Sequence, residues 1–154
     1  MLTAEEILEI DHAISLVPVR KAAGIEALKI VQQRRRWISD ESLRDVAAHM
    51  QMSPEELDSV ATFYNLLFRR PVGRHVILLC DSISCWVMGY ESLVTALRDK
   101  INIGFGETTP DSRFTLLPNC CLGCCDGGPA LMIDNDLYKD VTADQLDEIL
   151  LHYE

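Results

Sequence analysis

The sequence predicts a two-part chain of mixed class, α+β/α/β: a helical bundle over residues 1–70, then an α/β domain over 71–154 in the order βαβ–ββα. Three observations predict it. Apolar residues recur at helical spacing through the first seventy positions, the periodicity changes at "RRPVG" (69–73), and short apolar runs at 75–79 and 113–117 then flank a helical pattern. A chain of 154 residues can bury a respectable core as one domain or two small ones.

In the first half, Thr3 and Glu6 make a capping-box pattern ahead of Ile7, Ile10 and Ile14, and Pro18 ends that helix. Ile25, Leu28 and Val31 mark a second helix running into "RRRW" (34–37). Leu43, Val46, Ala47 and Met50 fall at i, i+3, i+4 and i+7 of a third. Ser53, Pro54 and Glu56 supply N-cap, first-turn proline and capping-box acid for a fourth, with Leu57, Val60, Ala61 and Tyr64 expected inward. Four amphipathic helices with short connections read as a small bundle.

In the second half, "HVILL" (75–79) reads as a buried strand ending at Cys80. Tyr90, Leu93, Val94, Leu97 and Ile101 trace a helix, and "RFTLL" (113–117) is a second strand running into a cysteine-rich loop. "ALMID" and "LYKDV" flank Asn135-Asp136, the expected turn of a hairpin. Thr142 and Gln145 cap a last helix carrying Leu146, Ile149, Leu150 and Tyr153.

Composition narrows function. The start of the chain carries no secretory pattern and no apolar run is long enough to span a bilayer, so a cytoplasmic chain without direct membrane insertion is expected. Net charge is −10, and residues 71–154 hold five basic against thirteen acidic side chains. That balance argues against nucleic acid as a partner, because phosphate binding needs the opposite sign. In a reducing compartment, six cysteines point to metal ligation or redox chemistry more than to disulfides.

Two of those cysteines, Cys80 and Cys85, follow the first strand; Cys120, Cys121, Cys124 and Cys125 follow the second. A strand–helix–strand unit of this length makes a crossover between parallel strands, which end at one edge of the sheet. The two sulfur groups are thus expected to meet, where open α/β sheets place ligands. Three chemistries fit such a rim. A Cys-x-x-Cys disulfide-exchange motif is present in Cys121–Cys124, but the "DGGP" that follows prevents the helix start that would activate its thiol. Structural zinc accepts paired thiolates, although zinc staples tend to serve domains lacking a core. An iron–sulfur cluster with four thiolates fits best, since a binuclear centre needs two ligands on each iron and two loops each offer a pair.

"PVGRHVILLCDSISC", "FTLLPNCCLGCCDGGP" and the upstream "VATFYNLLFRRP" resemble the E-subunit family of bacterial respiratory complex I (NADH:quinone oxidoreductase), over about residues 20–154. The resemblance implies an N-terminal helical bundle joined to a thioredoxin-like ferredoxin domain carrying one 2Fe–2S cluster. It implies an electron-transfer subunit docked on a flavoprotein subunit that itself binds NADH, FMN and a 4Fe–4S cluster, on the cytoplasmic side of the membrane. The family's Cys-Leu-Gly-x-Cys pattern maps onto Cys121, Leu122, Gly123, Cys124 and Cys125, so the implied ligands are Cys80, Cys85, Cys121 and Cys125. Cys120 and Cys124 fall outside the pattern, and position 124 usually holds a small polar residue in the family. Closely similar subunits serve the diaphorase modules of NAD-linked formate dehydrogenases and hydrogenases, which is the alternative assignment.

Remaining motifs read more plainly. "GFGETT" (104–109) lacks the third glycine of a dinucleotide loop and is expected as a turn, so this chain alone is expected to bind neither NADH nor nucleotide. "RRRW" is a helix end or a docking patch, "ATFYNLLF" (61–68) is expected mostly in the core, and His75 on the surface. Asp81 and Asp126 beside the thiols are expected to disfavour an added electron.

Overall fold

The computed structural model describes residues 1–153, in two compact units that divide between Pro71 and Val72. The first unit holds α1 (Ala4–Ser15), α2 (Gly24–Arg35), α3 (Asp40–Met50) and α4 (Pro54–Phe63), with a 3-10 turn at Arg20–Ala23. Caps set the boundaries. Thr3 and Glu6 make both halves of a capping box on α1, and Ser39 accepts from Ser42 N at the start of α3. Ser53 accepts from Glu56 N on α4, but the Glu56 carboxylate turns away to Lys21 at 2.8 Å, so the reciprocal bond expected there is not made.

Ile10, Leu28, Val31, Ile38, Val46, Met50 and Leu57 are fully buried and form the core of this unit. Burying such side chains contributes about 1.5–3 kcal/mol each. Two expectations fail here. Tyr64 lies past the end of α4 and is 43% exposed, and Phe63 is 79% exposed, so only Ala61 and Leu67 of "ATFYNLLF" are buried. Two arginines of "RRRW" are engaged within the unit: Arg34 reaches Glu5 and Glu9 at 2.6 and 2.5 Å, and Arg35 grips Glu6 at 2.8 and 2.6 Å. They tie the end of α2 to the start of α1.

The second unit is built on a mixed four-stranded sheet in the order β2-β1-β3-β4. Its strands are β1 (His75–Cys80), β2 (Phe114–Asn119), β3 (Leu131–Ile133) and β4 (Asp136–Tyr138). Between β1 and β2 lie a short helix α5 (Ile83–Val87), which the periodicity did not announce, and α6 (Tyr90–Ile101); α7 (Leu146–Leu151) closes the chain after a 3-10 turn capped by Thr142 and Gln145. Ile77, Leu79, Leu116, Leu131 and Ile133 from the sheet pack with Leu93 and Leu97 of α6 and Leu146 of α7. The hairpin turn is Asp134–Asn135, one residue earlier than expected, because Ile133 pairs with Asp136. Asp134 takes the left-handed conformation (φ 54°), and its carboxylate accepts from Val76 N at 2.9 Å and meets His75 Nδ1 at 2.7 Å. That double contact ties the turn to the start of β1. Among the described residues no helix is long and apolar enough to cross a membrane.

Candidate metal centre

β1 and β2 run parallel in a register that sets Cys80 opposite Asn119, their last residues. Both chains therefore leave the sheet at one rim, and Asp81 N donates to Asn119 O across it at 3.0 Å. The sulfur-bearing loops start side by side.

The first loop turns directly into α5. Ser82 is its N-cap and accepts from Cys85 N at 3.4 Å, which fixes Cys85 in the first turn. Cys80 and Cys85 are 2% and 1% exposed. Gly128 packs against this pair: a Cβ there would stand 3.2 Å from Cys85 Sγ, so the position has no room for a side chain unless that sulfur moves.

The second loop is shaped by two hydrogen bonds. Asn119 Nδ2 donates to Cys121 O at 2.9 Å, and Gly123, at φ 79°, donates its amide to Cys121 Sγ at 3.3 Å. A left-handed residue here favours glycine. The chain doubles back and brings Cys121 Sγ and Cys125 Sγ to 3.6 Å. Two thiolates on one tetrahedral metal at a metal–sulfur distance of about 2.3 Å lie about 3.8 Å apart, so this pair already has the spacing of ligands that share an ion. Cys120 is exposed and Cys124 is buried, packed with Cys80, Cys85 and Ala130.

The thiols interact in the same two pairs. Burial acts to raise the Cys80 thiol, but hydrogen bonds from the Ser82 hydroxyl and amide, the Leu122 amide and the Cys85 thiol outweigh it, and the net shift is downward. The Leu122 contact crosses from one loop to the other. Cys85 is pushed up, first by burial and then by Cys80; Cys125 is pushed up by its hydrogen bond to Cys121 and by that sulfur's charge. Mutual repulsion of this kind is relieved by a cation held between the sulfurs. Among the described residues no three Cys, His, Asp or Glu side chains are gathered about a single ion. A di-iron centre asks instead for two thiolates at each of two irons, and two pairs on adjoining loops meet that demand. The donor set fits a 2Fe–2S cluster.

Sequence reasoning missed Ser82 and Asn119. The signal for Ser82 was available, since a serine three positions ahead of a short apolar run is an N-cap pattern. His75 stands at the other end of β1, in contact with Asp134, Phe114 and Tyr153.

The family model described as "Thioredoxin-like [2Fe-2S] ferredoxin" matches residues 10–154. The chain is 46% identical to the E subunit of NADH-quinone oxidoreductase from Escherichia coli K12, over 99% of this chain and 92% of that one. The same-named proteins of Buchnera aphidicola from Acyrthosiphon pisum and of Pseudomonas aeruginosa PAO1 are 45% and 44% identical, covering 99% of this chain and 94% and 92% of theirs. Among solved structures, an NAD+-reducing [NiFe]-hydrogenase in the air-oxidized state superposes with a TM-score of 0.73 at 24% identity. That match covers 85% of this chain and 22% of the hydrogenase chain, and it is a likeness of fold.

Proposed function

The chain belongs to the thioredoxin-like [2Fe-2S] ferredoxin family, and on that footing we propose that it is the electron-transfer subunit of the NADH dehydrogenase module of a respiratory NADH:quinone oxidoreductase. It carries one 2Fe–2S cluster and acts within a multi-subunit oxidoreductase. The observation that carries the reading is the convergence of two cysteine pairs at the shared rim of β1 and β2.

Cys80 and Cys85 hold one iron in this reading, and Cys121 and Cys125 the other. The spacing of Cys121 and Cys125 and the shared environment of Cys80 and Cys85 support that register over one using Cys120 and Cys124. When bound, the cluster supplies one-electron exchange. The chain's own residues fix its surroundings: the rim orients the sulfurs, Gly128 admits Cys85, and the apolar contacts of Cys80, Cys85, Cys124 and Ala130 exclude water from one side. Cys121 and Cys125 are exposed, which gives electrons an open edge.

Residues 1–70 form a helical bundle and 71–154 the cluster domain. The partner is the NADH-binding flavoprotein subunit, which holds FMN and a 4Fe–4S cluster and performs hydride transfer. The assembly lies on the cytoplasmic side of the inner membrane, with this chain peripheral.

Anaerobic affinity purification of the tagged chain at native expression, followed by iron and acid-labile sulfide analysis, tests this reading. Two of each per chain, with an FMN flavoprotein and quinone-reductase subunits alongside, is the expected result. Colourless protein with one zinc would refute the cofactor. Co-purification with a molybdenum or nickel enzyme would transfer the same chemistry to a diaphorase.

A further inference from the structure

Resting on the 2Fe–2S reading, we infer that the hydroxyl of Ser82 donates a hydrogen bond to the ligand sulfur of Cys80 and holds the cluster's reduction potential up. Ser82 lies in the four-residue span between Cys80 and Cys85 and is half-buried. Ser82 Oγ sits 3.4 Å from Cys80 Sγ and also accepts from Cys85 N at 3.4 Å. A hydroxyl has one hydrogen and two lone pairs. With a lone pair engaged by the amide, the hydrogen remains free for sulfur, so one oxygen both caps α5 and serves the buried thiol pair.

A free Cys80 thiol can donate its own hydrogen to Ser82, but a metal-bound thiolate has none. In the loaded site the direction is fixed, and the serine must be the donor. Such a bond strengthens as the sulfur becomes more negative, so it favours the reduced state, and removing it lowers the potential.

The test is anaerobic potentiometry of the full chain carrying its cluster, followed by electron paramagnetic resonance of the reduced state. Ser82→Ala should lower the reduced-to-oxidised ratio at a fixed potential by roughly tenfold, a shift of about 59 mV for one electron. Threonine at this position keeps the hydroxyl and should restore the parent value. Ser82→Asp keeps an acceptor for the α5 cap but supplies no donor, so it should leave the potential at least as low as alanine does. An alanine variant with the parent potential and full iron content would overturn the inference, as would a positive shift. If the alanine variant takes up no iron while the threonine variant does, Ser82 is a folding element only, and the inference again fails. If the parent chain itself holds no 2Fe–2S signal, it is the cluster assignment that fails.

Discussion

Replacing Cys124 and Cys125 one at a time should have opposite consequences, although the two residues are neighbours in the chain. Cys124 is 4% exposed and packs with Cys80, Cys85 and Ala130, whereas Cys125 is exposed and stands 3.6 Å from Cys121. Cys124→Ala removes a sulfur from an apolar site, a loss comparable to one buried methylene at about 0.8 kcal/mol plus a small cavity term. The apo chain should lose about 1 kcal/mol, or roughly 2–4 °C in Tm, and still take up its cluster. Cys124→Ser should be worse, about 1–3 kcal/mol, if the new hydroxyl finds no partner. Cys125→Ser should leave apo stability nearly unchanged but abolish or alter the reduced-state resonance. Melting must be followed on apo protein, because a cluster bound only by the folded chain adds its own stabilisation. Loss of the cluster in Cys124→Ala together with its retention in Cys125→Ser would refute the ligand register.

Three further outcomes follow from other contacts. Arg35→Met should cost about 3 kcal/mol, the low end for breaking a buried pair, because Glu6 is 1% exposed but keeps its bond from Thr3 N at 2.8 Å; urea unfolding of the parent and variant measures it. Hydrogen bonding to Arg35 holds the Glu6 carboxyl below its ordinary value of 4.5. Its stabilisation is therefore fully present above that value and lost as pH falls below it through the depressed value, so the parent should lose more stability in acid than Arg35→Met. Thr115→Val should lower the urea midpoint by the equivalent of about 1–3 kcal/mol, since it strips the partner 2.6 Å from Gly73 N at a buried position. Burial, then hydrogen bonds involving Tyr138 and Asp136, push the Tyr153 phenol well above the usual tyrosine range. Ultraviolet titration of the native chain should leave one of its four tyrosines un-ionised where the Tyr153→Phe variant shows none withheld.

Where local chemistry decides structure, the sequence was legible. Thr3 and Ser53 cap helices through their own side chains, and Leu43, Val46, Ala47 and Met50 all face the core as their spacing requires. The meeting of the cysteine loops was legible too, because a parallel pair can only deliver its trailing ends to one rim. Partner choice was not. Glu56 satisfies the capping-box pattern, yet Lys21, thirty-five residues away, holds it. Arg34 and Arg35 read only as a helix end or a docking patch, and their carboxylate partners on α1 were not foreseen. The hairpin turn slipped by one residue because Asp134 is fixed by β1, a strand nearly sixty positions upstream. At five residues, α5 is too short to show a period, and the residues between Cys80 and Cys85 read only as a spacer.

The same distinction bears on what sets the potential of the cluster. The acidic surroundings invite the argument that Asp81 and Asp126 repel an added electron. Both are exposed, and Asp126 lies 3.5 Å from Lys139, whose opposite charge partly cancels it. Exposed charges act through water and are screened beyond about 10 Å at 0.1 M salt. The Ser82 hydroxyl is half-buried and within bonding reach of sulfur, where the local dielectric is lower and its effect larger. Asp126→Asn should therefore raise the midpoint potential by less than Ser82→Ala lowers it, and its effect should fade as salt is raised while that of Ser82→Ala persists. A larger, salt-independent shift in Asp126→Asn would show that the surface carboxylate, and not the hydroxyl at the sulfur, governs the electron's affinity for this site.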